Sequence, residues 1–243
     1  MSYLPKGSLH SFSADETIYH SKHGADHLYL VASGHVIVSR LSDPEKPAVL
    51  AIYQAGELFG ETSFLGSTNY GESATAVGNV TVRAWPVAMI EELAQAQPKL
   101  GIALCRIMAE RSTSFEARIA CFAVDTIPRR IARSLISLSE RMGQQRTDGA
   151  ITILPLTHQL LAQYVGTSRE IVTRHMNMLR RSGYLKYSRQ GIQIYREALE
   201  EMLRKDNSSD VSAISDGQKQ QSVRALVNEA RVVNTGAGMS GAA

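Results

Sequence analysis

The chain has 243 residues, a length that accommodates about two ordinary domains. Hydrophobic residues make up 44% of it and charged residues 20%, which indicates a globular protein with a core and argues against a disordered or collagen-like chain. No apolar stretch approaches the roughly 18 residues of a membrane-spanning helix, and the first 20 residues lack the apolar centre of a secretory signal. We therefore expect a cytoplasmic protein.

The formal net charge of +3 conceals a strong asymmetry along the chain. Residues 1–125 carry 9 basic and 13 acidic side chains, residues 126–205 carry 14 and 6, and residues 206–243 carry 3 and 4. Twelve of the 14 basic residues in the middle segment are arginines. A compact basic segment behind an acidic one is typical of a module that binds a polyanion, although a solvated surface also fits this charge balance.

The first third of the chain has the pattern of an all-β barrel or roll. From Phe12 to Pro86, short apolar runs at period two are separated by glycines such as Gly34 and Gly78, which we interpret as turns. The clearest predicted strands are Leu28–Val31, Val36–Val38, Val49–Tyr53 and Val80–Val82. Residues Asp43–Pro47 are predicted as a surface hairpin loop, because neither of the two prolines can donate to a central ladder.

The next segment changes to helical periodicity. A helix is predicted over Glu91–Phe122, with one break near Pro98. Its apolar stripe, which Arg111 interrupts, comprises Leu104, Met108, Phe115, Ile119 and Phe122. Since a closed β-roll already has its own core, we expect this stripe to pair with the same helix of a second copy. Packing against its own domain is the alternative.

Cysteine and histidine positions limit the possible metal chemistry. Cys105 and Cys121 lie about 24 Å apart on the predicted helix, whereas a disulfide needs Cα atoms within about 7 Å. Two half-buried thiols are the simplest interpretation, and a Cys121 pair across a parallel dimer is the alternative. Two cysteines are too few for a four-thiolate cluster. The histidines of the first domain lack the spacing of metal ligands, so we interpret them as surface residues: His20, His23, His27 and His35.

The basic segment has the element order of a winged helix-turn-helix. Pro128 marks its start, because a residue before proline is pushed out of the helical conformation. The predicted elements are a helix at Arg129–Arg141, a strand at Ile151–Leu154, helices at Thr157–Tyr164 and Ser168–Ser182 joined at Gly166, and extended segments at Tyr184–Tyr187 and Ile192–Tyr195. Residues 206–243 become polar and then rich in Gly, Ala and Ser, which predicts a disordered tail.

The segment from Thr157 to Leu185 carries the strongest functional signal. Apolar faces on its two predicted helices pack across Gly166 and leave the second helix outside, where it can enter a major groove. Arginine can form two hydrogen bonds with guanine, and a carboxylate can accept one from the cytosine amino group. We therefore expect contacts with DNA from Thr167, Ser168, Arg169, Glu170, Thr173, Arg174 and Asn177, and contacts with phosphates from Lys186 and Arg189 beside the wing turn.

Some of these residues also have structural interpretations. Thr167 and Glu170 have the spacing of a capping box, in which the glutamate satisfies a backbone amide at the helix start. Arg169 and Arg174 also fit solvated charges or phosphate contacts. His175 lies at the edge of the apolar face, which favours a packed side chain without a functional role.

The stretch from Phe12 to about Arg204 resembles the Crp/Fnr superfamily of bacterial transcription regulators. The resemblance lies in Leu28-Tyr-x-Val-x-x-Gly34, Gly56-Glu-Leu-Phe-Gly60-Glu, Ser73-Ala-Thr and, most specifically, Gly166-Thr-Ser-Arg-Glu-Ile-Val-Thr-Arg174. It implies an α+β fold with a cyclic-nucleotide-binding-type β-roll at residues 1–98, a dimerisation helix and hinge at 99–125, a winged helix-turn-helix at 126–205 and a tail at 206–243.

The resemblance also implies particular roles for residues in both functional parts. Arg169, Glu170 and Arg174 match the family's base readers, which implies a palindrome with TGTGA-like half-sites. The effector cassette would comprise Gly56, Glu57, Leu58, Phe59, Gly60, Ser73 and Ala74. Glu72 stands where cyclic-AMP-binding members have an arginine, and a carboxylate repels a phosphodiester. Cyclic AMP is therefore not the expected effector, and another small anionic molecule or no effector stays open.

These observations together predict a homodimeric, sequence-specific DNA-binding transcription regulator. Its expected partners are double-stranded DNA, a second copy of the chain and, if it is an activator, RNA polymerase, with no membrane. We do not expect an enzyme, because the sequence has no recognisable nucleophile and base pair, metal cluster or P-loop. A family member that needs no effector, or that acts as a protein-interaction module, is the alternative.

Overall fold

The computed structural model describes residues 4–20, 26–41, 47–66, 71–188 and 190–205. Most of the predicted hairpin loop at Asp43–Pro47, together with His23, Arg189 and the tail at 206–243, lies outside the described residues. The chain divides into two units after Ile194. In the second unit, residues 196–205 are helical.

The N-terminal part is an antiparallel sheet with the strand order β1-β6-β3-β4. The short strands β2 and β5 pair with β6 and β3, and a 3₁₀ helix (Glu61–Leu65) follows β5. The buried core of this sheet combines valines and alanines with stacked aromatic rings. The ring centroids of Tyr29 and Phe59, for example, lie 5.0 Å apart. The strands are β1 (Ser8–Phe12), β2 (Thr17–Tyr19), β3 (His27–Leu41), β4 (Pro47–Gln54), β5 (Leu58–Phe59) and β6 (Glu72–Pro86).

Two glycines predicted as turns lie inside long strands instead. β3 continues through Gly34 and β6 through Gly78, and the pairing of these strands shifts register on either side of Ser33. Gly34 has φ 85°, and a Cβ there would lie 2.5 Å from the Asn79 carbonyl oxygen. Gly34 is therefore a β-bulge in a bent strand, a role that also uses glycine at positive φ and that sequence spacing does not distinguish from a turn.

Two helices connect the sheet to the C-terminal part. α1 (Val87–Ala96) and α2 (Pro98–Val124) are separated at Gln97, in agreement with the predicted break near Pro98. The start of α2 packs against its own chain, because Leu104 and Ile107 contact a core of Leu28, Leu58, Trp85 and Ile90. Within the described ranges, no helix is long and apolar enough to cross a membrane.

The remaining elements form a winged helix-turn-helix. A second sheet with the order β7-β8-β10-β9 lies beside three helices, and Gly166, in the left-handed conformation, ends the first helix of the motif. These elements are α3 (Ile127–Met142), β7 (Gln144–Gln145), β8 (Ile151–Ile153), α4 (His158–Val165), α5 (Arg169–Arg181), β9 (Leu185–Ser188) and β10 (Gly191–Ile194). The predicted α+β fold class is confirmed.

Candidate nucleic-acid interface and effector site

The outer face of α5 carries the predicted DNA-contacting residues. Val172, Met176 and Leu179 are buried on the inner face of this helix. The helical spacing places Glu170, Arg174 and Asn177 opposite this buried face, with Arg169 and Thr173 at its flanks and Thr167 and Ser168 just before the helix. Of these, Ser168, Arg169, Glu170 and Arg174 are exposed, whereas Thr167, Thr173 and Asn177 are half-buried.

The start of α5 differs from the capping box that was the alternative interpretation of Thr167 and Glu170. Ser168, and not Thr167, is the N-cap, and its hydroxyl accepts a hydrogen bond from the Ile171 amide at 3.4 Å. The pKa of Glu170 is lowered, first by a hydrogen bond with its own backbone and then by one with the Ser168 side chain. Glu170 is therefore an exposed carboxylate that accepts hydrogen bonds, as an interaction with a cytosine amino group requires.

The wing turn is held by a serine that sequence reasoning did not single out. The Ser188 hydroxyl donates to the Gly191 carbonyl at 3.0 Å and accepts from the Gln190 amide at 3.2 Å. Lys186 is exposed on β9, as a phosphate contact requires, whereas Arg189 lies outside the described residues.

A histidine at the start of α4 joins the recognition helix to the wing. His158 Nδ1 lies 2.9 Å from the Thr173 hydroxyl, and Nε2 lies 2.7 Å from the Tyr187 hydroxyl. Sequence reasoning missed this contact, because separations of 15 and 29 residues between partners in different elements follow no periodicity.

The predicted dimerisation stripe divides into an occupied part and an open part. Leu104 packs against the core of its own chain, and Met108 is half-buried. In the single chain, Phe115, Ile119 and Phe122 are 39%, 66% and 44% exposed. The exposed part of the stripe therefore lies in the second half of α2.

Phe122 also contacts the helix-turn-helix of its own chain. A Cβ at Gly166 would lie 2.9 Å from the Phe122 ring, and the Arg130 guanidinium stands 5.0 Å from the ring centroid. The Phe122 ring therefore has two neighbours in the same chain beside its predicted dimer contact.

Arg111, which interrupts the apolar stripe, reaches the β-roll. Its guanidinium donates to the Leu58 carbonyl, lies 2.6 Å from a Glu61 oxygen and stands 4.8 Å from the centre of the Tyr53 ring. The pKa of Arg111 is raised: burial opposes the charge, but Tyr53, Glu61 and Glu57 together outweigh that effect. Sequence reasoning did not assign Arg111 or Glu61 to the effector site, although a lone arginine in an apolar stripe was a usable signal.

The predicted effector cassette combines buried core residues with a glutamate that is already engaged. Leu58 and Phe59 are buried as β5, and Ala74 is buried on β6 beside half-buried Ser73. Glu57 accepts a hydrogen bond from the Gln54 amide at 2.9 Å and lies 3.2 Å from the Arg141 guanidinium of α3. Gly56 and Gly60, which flank this segment, both have positive φ.

Glu72 is paired with an arginine across the sheet. The Arg40 guanidinium on β3 lies 3.2 Å from one Glu72 oxygen, and the Thr62 hydroxyl donates to the other at 3.3 Å. Burial raises the pKa of Glu72, while Arg40 counteracts part of that rise. Residue 72 therefore presents a carboxylate to the β-roll, and the neighbouring Arg40 guanidinium is already paired with that carboxylate.

The described histidines and cysteines show no metal-binding arrangement. Within the part of the chain that the structure describes, no group of three or more His, Cys, Asp or Glu side chains could hold a metal ion. His27 hydrogen-bonds to Asp26 at 2.6 Å, and burial lowers the pKa of His35. Cys105 and Cys121 are both free on α2.

A β-roll joined by a long helix to a winged helix-turn-helix defines a class of transcription regulators in which a sensor-type domain and a DNA-binding domain share one chain. Two domain signatures match in the same order: a cyclic nucleotide-binding domain at residues 9–97 and a Crp-like helix-turn-helix domain at residues 129–202. The chain belongs to the Crp/Fnr family of transcription regulators, as the sequence resemblance indicated.

Named relatives and solved structures agree with this assignment. The chain is 25% identical over 175 residues to the CRP-like cAMP-activated global transcriptional regulator of Mycobacterium tuberculosis, covering 72% of this chain and 78% of the relative. It is 28% identical over 179 residues to the cAMP-activated global transcriptional regulator CRP of Haemophilus influenzae, covering 73% and 79%. The structure of FixK2 from Bradyrhizobium japonicum is similar in fold, with a TM-score of 0.69 at 22% identity over 80% of this chain and 96% of that one.

Proposed function

We propose that the chain is a homodimeric transcription regulator that acts in the bacterial cytoplasm and binds a DNA palindrome with TGTGA-like half-sites. The observation that carries this proposal is the joint exposure of Arg169, Glu170 and Arg174 on the outer face of α5. Two arginines and a carboxylate on one face are the side chains that read G·C pairs in a major groove.

The proposed dimer uses the exposed second half of α2. Phe115, Ile119 and Phe122 expose apolar surface on one stripe, and a second copy can cover it as in a two-stranded coiled coil. A two-fold axis along α2 would place two recognition helices on successive major grooves, about 34 Å apart. The proposed division of the chain is a β-roll at 1–98, the dimerisation helix at 99–125, the DNA-binding domain at 126–205 and a tail at 206–243.

The β-roll is proposed to accept a small anionic effector other than cyclic AMP. Two relatives are named as cAMP-activated, and an anion would approach Arg40 and Arg111 in this chain. Arg40 is paired with Glu72 and Arg111 with Glu61, and the Glu72 carboxylate itself would repel a phosphodiester. A regulator that needs no effector is the second candidate, because Glu57 and Glu72 are already held by arginines of the same chain.

Selection of DNA from a random pool tests the function directly. Purified, untagged protein would be tested without additive and with cyclic AMP, cyclic GMP or cyclic di-GMP. Enrichment of a TGTGA-type palindrome without additive supports the regulator and the second candidate for its control. Enrichment that occurs only in the presence of cyclic AMP contradicts the proposed effector class. No enrichment under any condition contradicts autonomous DNA reading and favours a protein-interaction module. If the protein activates transcription, RNA polymerase is its further partner.

A further inference from the structure

His158 occupies a position where three elements of the winged helix-turn-helix meet. It is the first residue of α4, directly after Thr157, whose hydroxyl caps that helix by accepting from the Leu160 amide at 3.1 Å. Both ring nitrogens have partners: the Thr173 hydroxyl on α5 at 2.9 Å and the Tyr187 hydroxyl on β9 at 2.7 Å. The rings of His158 and Tyr187 are 6.1 Å apart between centroids. One imidazole therefore connects the recognition helix with the wing.

The chemistry of the three groups determines which of them donates and which accepts in each hydrogen bond. Burial and the nearby Arg169 lower the pKa of His158, which favours the neutral ring. A neutral imidazole has one donor and one acceptor nitrogen. Because a phenol is a stronger acid than an aliphatic alcohol, Tyr187 is the better donor to Nε2, which leaves Nδ1–H to donate to Thr173. Hydrogen bonds that run in one direction polarise and strengthen one another.

We propose that His158 is a positioning residue for DNA reading. The hydrogen-bonded chain Tyr187–His158–Thr173 holds the wing at a fixed position relative to the recognition helix. This inference rests on the proposed DNA-binding function. The Thr173 hydroxyl proton is then left for a phosphate or base-edge acceptor on DNA. The charged side chains that act on the two rings are Arg169 for His158 and Arg180 for Tyr187. Both are cations, so they favour DNA near this chain of hydrogen bonds.

The position of Tyr187 shows why this connection matters for binding. Tyr187 is 41% exposed and lies next to Lys186 on β9, the proposed phosphate contact in the wing. Among the described strands β9 pairs with β10 alone, and a short turn whose Tyr184 amide donates to the Leu179 carbonyl joins it to α5. The His158 link adds a side-chain connection to this backbone one, so base contacts and wing phosphate contacts share more of their ordering cost.

A double-mutant cycle on DNA affinity tests the proposal. The variants are His158→Ala, Tyr187→Phe and the double substitution, measured by fluorescence anisotropy on the selected palindrome at several salt concentrations. Tyr187→Phe keeps the ring and removes only the hydroxyl. Each single change is expected to weaken binding about tenfold and to lower the salt slope by about one phosphate contact, while the double variant loses no more than either single variant. His10→Ala, on β1, is the matched histidine control.

If the fold-loss of DNA affinity in the double variant equals the product of the two single losses, the proposal is overturned, because His158 and Tyr187 would then contact DNA separately. Imidazole ¹⁵N signals of the unbound full-length protein give a readout that does not depend on DNA. We expect Tyr187→Phe and Thr173→Val to shift the His158 nitrogen signals at the Nε2 and Nδ1 positions respectively; unchanged signals would contradict the hydrogen-bonded chain. If the wild-type protein selects no DNA sequence while these signals shift as expected, the proposed function fails and the positioning contact stands.

Discussion

At the scale of single residues, Arg169 is the first residue whose loss would distinguish base reading from charge attraction. Arg169→Ala is expected to cost about 1–3 kcal/mol at the cognate site and to relax the preference at one G·C pair, because a bidentate contact to guanine is lost. Binding titrations on cognate and random duplexes measure this. Arg146→Ala removes the same charge from the loop after β7, where Arg146 pairs with Asp148 at 3.5 Å. Equal losses on both duplexes would make Arg169 a phosphate contact.

At the same scale, Glu72 provides a test of the proposed ligand preference of the β-roll. Glu72→Arg is expected to create or strengthen cyclic-nucleotide binding, because it replaces a repelling carboxylate by a guanidinium and releases Arg40 from its ion pair. Calorimetry with cyclic AMP measures the gain. Glu72→Gln removes the negative charge without adding a positive one and is the matched control. If Glu72→Arg folds as the wild type does and shows no gain, other residues of the cassette exclude the nucleotide.

At the scale of elements, the sequence patterns predicted the strands and helices better than the contacts between them. The apolar alternation and the break near Pro98 follow local rules, so the β-roll, α1, α2 and the helix-turn-helix were all predictable. Gly34 and Gly78 were misread, because a bulge and a turn use the same backbone conformation of glycine. Arg111 and His158 act through partners more than ten residues away. Their roles therefore depend on tertiary placement that no periodicity encodes.

The turn between α4 and α5 provides a test at this scale. Gly166→Ala is expected to destabilise the fold by more than the ~1–2 kcal/mol of a left-handed alanine, because the new methyl would also lie 2.9 Å from the Phe122 ring. Gly149→Ala is the matched control, since Gly149 has φ 77° but no heavy atom within 4 Å of a Cβ. Urea unfolding of both variants separates the two costs. Equal destabilisation would show that the Phe122 contact adds nothing.

At the scale of the whole molecule, two arginines connect the exposed edge of the β-roll sheet to the helix-turn-helix. β4 is an edge strand, and the Arg118 guanidinium donates to the Val49 carbonyl at 3.2 Å, to the Leu50 carbonyl, and to the Tyr164 carbonyl of α4 at 3.1 Å. The Arg141 guanidinium of α3 donates to the Ile52 carbonyl at 3.0 Å. Hydrogen bonds from these two arginines to carbonyls of β4 therefore help to orient the helix-turn-helix.

Glu57, a residue of the proposed effector cassette, also takes part in this seam, the contacts of Arg118 and Arg141 with β4. The Arg141 guanidinium lies 3.2 Å from Glu57, and the Gln54 side chain donates to the Arg141 carbonyl at 2.6 Å. A ligand that bonded to Glu57 would compete with Arg141, so occupancy of the β-roll and orientation of α3 would be linked.

Arg141→Met and Glu57→Gln are therefore expected to loosen the same contact. Each should raise the rate of limited proteolysis at Asp125 and Thr126, between α2 and α3, by about 1.4- to fivefold, because a partly exposed ion pair contributes about 0.2–1 kcal/mol. The double variant should be cut no faster than Arg141→Met, since that change already removes the ion pair with Glu57 together with the hydrogen bond to the Ile52 carbonyl. Arg146→Met, which lies away from the seam, should leave the rate unchanged. If the rate increase in the double variant equals the product of the two single increases, Glu57 and Arg141 act separately. The proposed cassette would then have no direct connection to the helix-turn-helix through this pair.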